Sequence, residues 1–90
     1  MEWFHSKGVM DDMARIINQD ISIGENLRRL RVRAGLTQEQ AAARIQVKGI
    51  PMSREIISQM ERGAHNINVS VLIAMKEIYR ASFDEFFLDL

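Results

Sequence analysis

The chain has 90 residues, 47% of them apolar, a net charge of zero and no cysteine. That is the size of one small domain with one core, and it excludes a disulfide framework, a cysteine-based zinc site and a thiol nucleophile. No apolar run approaches the roughly 20 residues that a membrane helix needs, and the first residues lack the basic start and apolar stretch of a signal peptide, so a cytoplasmic protein with no membrane partner is expected.

Residues 1–21 read as an arm outside the core. Val9, Met13, Ile16 and Ile17 fall at helical spacing, which predicts a short extra helix from about Asp11 to Gln19. Met10 and Met13 are also candidate translation starts. Trp3 and Phe4 allow two readings, a frayed end or a docking element that packs onto the domain or a second subunit.

The first helix of the domain is expected from about Ser22 to Ala34. Ser22 can cap it, Ile23, Leu27 and Leu30 form its inward stripe, and Gly35 suits its C-terminal cap. Arg28, Arg29, Arg31 and Arg33 lie mainly on the other faces. A second helix begins at Thr37, where Thr37 and Gln40 have capping-box spacing, and runs through Ala41, Ala42 and Ala43 to about Ile45. Alanines favour helix and let another helix approach closely. Gln46 to Met52 then breaks the pattern, with Gly49 and Pro51 as punctuation. Ser53 is the natural N-cap of a third helix reaching Glu61 or Arg62, with Ile56, Ile57 and Met60 toward the core and Gly63 as its end. After a polar loop, Asn68 caps a fourth helix to about Tyr79, burying Val71 or Leu72, Met75, Ile78 and Tyr79. Ser82 and Glu85 repeat the capping-box spacing and open a last short helix with Phe83, Phe86 and Phe87. No segment reads as a strand and no internal repeat is present. The reading is all-α: an arm over 1–21 and a five-helix domain over 22–90.

The zero net charge conceals an uneven distribution. Residues 21–63 carry eight cations against four carboxylates, whereas residues 1–20 and 64–90 each carry two cations against four. The basic block, residues 21–63, contains the second and third helices. That is where contact with phosphates would need it, although a solvated helical face can produce the same asymmetry.

Three runs carry a resemblance: Ile23-Gly24-Glu25-Asn26-Leu27-Arg28-Arg29-Leu30-Arg31, Ala34-Gly35-Leu36-Thr37-Gln38-Glu39-Gln40, and Ile57-Ser58-Gln59-Met60-Glu61-Arg62-Gly63. In this order they resemble the Cro/phage-repressor helix-turn-helix family, also called the xenobiotic-response-element family. Ala81-Ser82-Phe83-Asp84-Glu85-Phe86 is similar to the family's closing turn. The resemblance covers roughly residues 22–87, and residues 1–21 have no counterpart in it. It implies a compact lambda-repressor-like domain that binds double-stranded DNA sequence-specifically, with the third helix in the major groove, as a repressor-like transcriptional regulator. One departure is the turn over 46–52, several residues longer than the family's three or four. A subset of bacterial relatives shares a similar run. Val47, Lys48 and Ile50 are placed either to reach DNA or to shield it, while Ile50 and Met52 are expected to tuck under the turn.

Carried onto this chain, the family's base-facing positions are Ser53, Arg54, Glu55, Ser58 and Gln59. Chemistry supports them independently: arginine can grip guanine with two bonds, glutamine can do so for adenine, and glutamate can accept from cytosine. The bland alternative is the solvated face of a surface helix. Gln38 resembles the family glutamine that bonds a phosphate and buttresses the reading helix. Thr37 can add a hydroxyl or free N–H groups, and Lys48, Arg62 and Asn66 are further phosphate candidates. Arg31 and Glu61 resemble the family's structural ion pair. His5 and His65 are too isolated for a metal site, and no cofactor is expected.

Neither a nucleophile elbow nor a phosphate loop nor a histidine cluster is present, so no enzyme is expected. The rival reading is an antitoxin or adaptor that uses the same fold as a protein-interaction module. The outward charge of the third helix distinguishes the two. Phe83, Phe86 and Phe87, with Leu88 and Leu90, exceed what a short closing helix can bury. A homodimer through this C-terminal helix is therefore expected, with the N-terminal arm as a further contributor.

Overall fold

The computed structural model describes residues 16, 17, 19 and 21–90. In chain order these form β1 (Ile16–Ile17), α1 (Gly24–Arg33), α2 (Gln38–Val47), α3 (Arg54–Glu61), β2 (Ile67–Asn68), α4 (Val69–Tyr79) and α5 (Phe83–Phe86). The five helices lie where the sequence places them, within two residues at each end. The expectation that no strand forms is corrected by a two-residue antiparallel ladder that pairs Ile16 with Asn68 and Ile17 with Ile67. The short helix expected to end near Gln19 is therefore extended backbone at Ile16–Ile17. A β-branched pair suits a strand, and its partner lies too far along the chain to show in a local pattern. Trp3, Phe4, Val9, Met10, Met13 and the remainder of that expected helix lie outside the described residues.

Local chemistry starts and stops the helices. Thr37 and Gln40 form the full capping box: the Thr37 hydroxyl accepts from Gln40 N–H at 3.1 Å, and the Gln40 side chain accepts from Thr37 N–H at 2.9 Å. Ser53 accepts from Ile56 N–H at 3.2 Å and so opens α3. Ser22 is not itself the N-cap of α1. It stands one residue before the cap, Ile23, and takes the Gly24 N–H at 3.0 Å. Gly35 and Gly63 turn the chain out of α1 and α3 in the left-handed region, at φ +77° and +76°.

The core is shared by all five helices and β2. Leu27, Ile45, Ile57, Ile67, Met75, Tyr79 and Phe86 are fully enclosed. Ala41 and Ala42 are buried where α2 meets α3 and α4, so the small side chains set a close helix approach. The start of α1 and the end of α3 touch at backbone level, because a Cβ on Gly24 would lie 2.2 Å from the Glu61 carbonyl oxygen. The four-residue α5 is too short to stand alone. Phe86 anchors it in the core, and buried Asn26 donates to the Phe86 and Leu88 carbonyls at 3.0 and 2.9 Å. Arg33 pairs with Glu85. That bond, aided by the Ser82 N–H, holds the Glu85 carboxyl down at about 2. Among the described residues, no helix is long and apolar enough to cross a membrane.

Candidate nucleic-acid interface

The third helix divides cleanly into two faces. Ile57, Met60 and Glu61 are buried and Ile56 is half-buried, which turns positions 54, 55, 58 and 59 outward in one stripe. Arg54 and Glu55 are exposed at its start, while Ser58 and Gln59 are half-buried one turn later. Ser53 is occupied as the cap. The Arg54 guanidinium lies 3.9 Å from the Glu55 carboxylate, a loose surface pair that leaves its donors free to regroup around a ligand.

The first turn of α2 adjoins this stripe. Thr37, Gln38, Glu39, Arg54 and the edge of Arg31 border a single shallow depression. With the Gln40 N–H taken by the Thr37 hydroxyl, the N–H groups of Gln38 and Glu39 are left without an acceptor in their own helix and carry the positive end of its dipole. An anionic oxygen seated there would meet these N–H groups and the Arg54 guanidinium together.

Beneath this surface is a buried polar network. Arg31 donates to Glu61 through Nε at 2.6 Å and Nη2 at 3.0 Å, and its Nη1 donates to the Leu36 carbonyl at 2.8 Å. Gln38 completes it by donating to Glu61 Oε1 at 3.1 Å. The arrangement joins α1, the link to α2, the first turn of α2 and the last turn of α3. Side-chain exposure is 10% for Arg31 and 4% for Glu61, so the Coulomb attraction acts in a weakly screened environment. The hydrogen bond to Glu61 raises the Arg31 pKa above its ordinary value, and burial opposes this only in part. Gln38 thus buttresses α3 directly, through the carboxylate at its far end.

The long turn is ordered from within. Gln46 donates across it to the Met52 carbonyl at 2.6 Å, Met52 is buried and Ile50 is half-buried. Gly49, at φ +86°, supplies the left-handed step. Val47 is left 88% exposed. Lys48 does not join the group around Arg54. Its ammonium pairs with Glu77 of α4 at 2.5 Å, and that bond lowers the Glu77 pKa. Arg62 and Asn66 are exposed beyond the end of α3. His65 is engaged locally, with its Nδ1 2.6 Å from the Asn66 carbonyl.

At the C-terminal end, Phe86 is fully buried in the core and cannot belong to a subunit interface, which corrects the expectation that grouped it with Phe83 and Phe87. A four-residue helix held by Asn26 turns that ring inward and leaves Phe83 and Phe87 about half exposed, at 44% and 45%. Sequence reasoning missed four supporting residues: Gln19, Asn26, Gln46 and Glu77. Each makes its bond through a partner that local patterning does not reveal.

Two short helices joined by a turn, the second presenting a polar stripe beside the first one's N-terminus, define a helix-turn-helix unit. Residues 22–86 match the family model of a helix-turn-helix domain, and the chain belongs to that family. Among solved structures the chain is similar to a point mutant of the restriction-modification controller protein C.Esp1396I. The identity is 25% and the TM-score 0.58, over 72% of this chain and 76% of that one. No curated protein matches.

Proposed function

We propose that this protein binds double-stranded DNA as a sequence-reading transcriptional regulator, with α3 in the major groove. The observation that carries the reading is the outward stripe of Arg54, Glu55, Ser58 and Gln59 beside the first turn of α2. Its side chains can address base edges while Thr37 and the free N–H groups of α2 hold a phosphate. Arg62 and Asn66 extend the phosphate contacts past the end of α3, and Gln38 works from below, through Glu61. The likeness to a restriction-modification controller protein supports a regulatory role. A symmetric dimer, held through the exposed rings of Phe83 and Phe87, would present two such stripes to two half-sites.

Fluorescence anisotropy with labelled duplexes, over a salt series, tests the reading. Affinity should fall steeply as salt rises, because bound phosphates release counterions. Arg54→Ala should weaken binding by about 1–3 kcal/mol at one base position and relax preference there. Equal losses on every sequence would reassign Arg54 to phosphate contact. Absence of binding to any duplex at low salt would favour the antitoxin or adaptor reading.

A further inference from the structure

We propose that Gln19 is a positioning residue for DNA reading, fastening the last turn of α3 and the loop behind it in the orientation that the duplex requires. This rests on the DNA-binding reading above. The Gln19 carboxamide sits where three stretches of chain meet. Its nitrogen donates to the Met60 carbonyl at 3.3 Å and to the His65 carbonyl at 2.6 Å. Its oxygen accepts from the Ile23 N–H at 3.2 Å and from the Ser22 hydroxyl at 3.4 Å. A primary amide has two N–H donors and two lone pairs, so its whole capacity is in use. Turning it over would set an oxygen against two carbonyls and an NH2 against an N–H, so the partners themselves fix its orientation.

Each partner bears on the reading surface. Met60 belongs to the final turn of α3, whose carbonyls lack helical donors. Its oxygen takes the Gly63 N–H at 3.0 Å as well as the Gln19 amide. His65 belongs to the loop that carries Asn66, a candidate phosphate contact. Just past that loop the chain pairs with β1, so Ile16 and Ile17 fasten it by backbone and Gln19 by side chain. There is no slack between these strands of chain: a Cβ on Gly63 would lie 2.5 Å from the Ser22 hydroxyl oxygen.

The need for such a tie follows from the turn over 48–53. A longer connection constrains the start of α3 less than a short one, yet two-pronged base contacts require side chains held to about 0.5 Å. Fixing the far end of an eight-residue helix compensates for this. Gln19 lies before the stretch that matches the family model, residues 22–86.

The test compares Gln19→Met, which keeps length but has no donor and only a weakly accepting sulfur, and Gln19→Glu, which sets a carboxylate against two carbonyls. Leu72→Ala is the control, since it loosens the core at α4, which carries neither the α3 stripe nor the rings of the proposed dimer. Affinities are measured well below the lowest melting temperature, on duplexes selected by the wild-type protein and on unselected duplexes. Amide exchange over 58–66 is followed in parallel. Both Gln19 variants should lose about tenfold on selected duplexes, the effect of one to two neutral hydrogen bonds. They should change little on unselected ones and exchange faster over 58–66, with Gln19→Glu the more affected. The inference is overturned if both variants bind selected duplexes as wild type does, lose no more than Leu72→Ala, or lose equally on all sequences. A wild-type protein that binds no duplex would instead remove the DNA-binding reading, and this inference with it.

Discussion

Arg31 is the inward exception among the four arginines of α1, and its partner explains why it can be. Glu61 takes three donors on two oxygens, two from Arg31 and one from Gln38, while Arg31 gives its remaining branch to the Leu36 carbonyl. Removing one partner leaves a charge buried without compensation, which costs about 3–5 kcal/mol. Arg31→Ala and Glu61→Ala should each lower stability on that scale in urea titrations, and the double variant should lose clearly less than the sum. Strict additivity would show that the two side chains do not interact in solution. The sequence offered this pair only through a family resemblance, because nothing in the spacing of positions 31 and 61 marks them as neighbours. The bond from Gln38 to Glu61 was less legible still. Position 38 stood out as a buttress, but its partner is a carboxylate across the network.

At the scale of elements, the helix starts were the most legible feature, since a capping box encloses both partners within four residues. Thr37 with Gln40 could be read directly. The ladder between β1 and β2, the Lys48–Glu77 pair and the Gln19 bonds to Met60 and His65 could not, because each joins stretches separated by many residues. The junction of α1 and α3 shows the same limit. Gly24 reads as an ordinary first-turn residue, yet its Cα lies against the carbonyls of Met60 and Glu61, where a methyl group has no room. Gly24→Ala should therefore push α1 from α3 and cost about 1–3 kcal/mol, the usual effect of overpacking. A shifted urea midpoint with an unchanged slope would bear this out. A midpoint equal to wild type would mean that the junction yields freely.

For the whole molecule, the charge pattern and the apolar tail point to different partners. The basic middle of the chain surrounds the helix-turn-helix, whereas Phe83, Phe87, Leu88 and Leu90 lie about half exposed at its closing end. Lys76 stands 5.2 Å from the Phe83 ring centroid, a cation–π contact that leaves much of that ring open. An isologous dimer would cover these groups. Sedimentation at micromolar concentration should find a dimer for wild type and a monomer for Phe83→Ser combined with Phe87→Ser. Phe86 stays intact in that variant because the core needs it. A wild-type monomer, with and without DNA, would remove the dimer from the account. The central claim, that the α3 stripe reads duplex sequence, is tested most directly by selecting bound duplexes from a random pool. A short motif should be enriched, repeated with two-fold symmetry at about one helical turn. A pool that emerges unenriched after repeated rounds at low salt would contradict it.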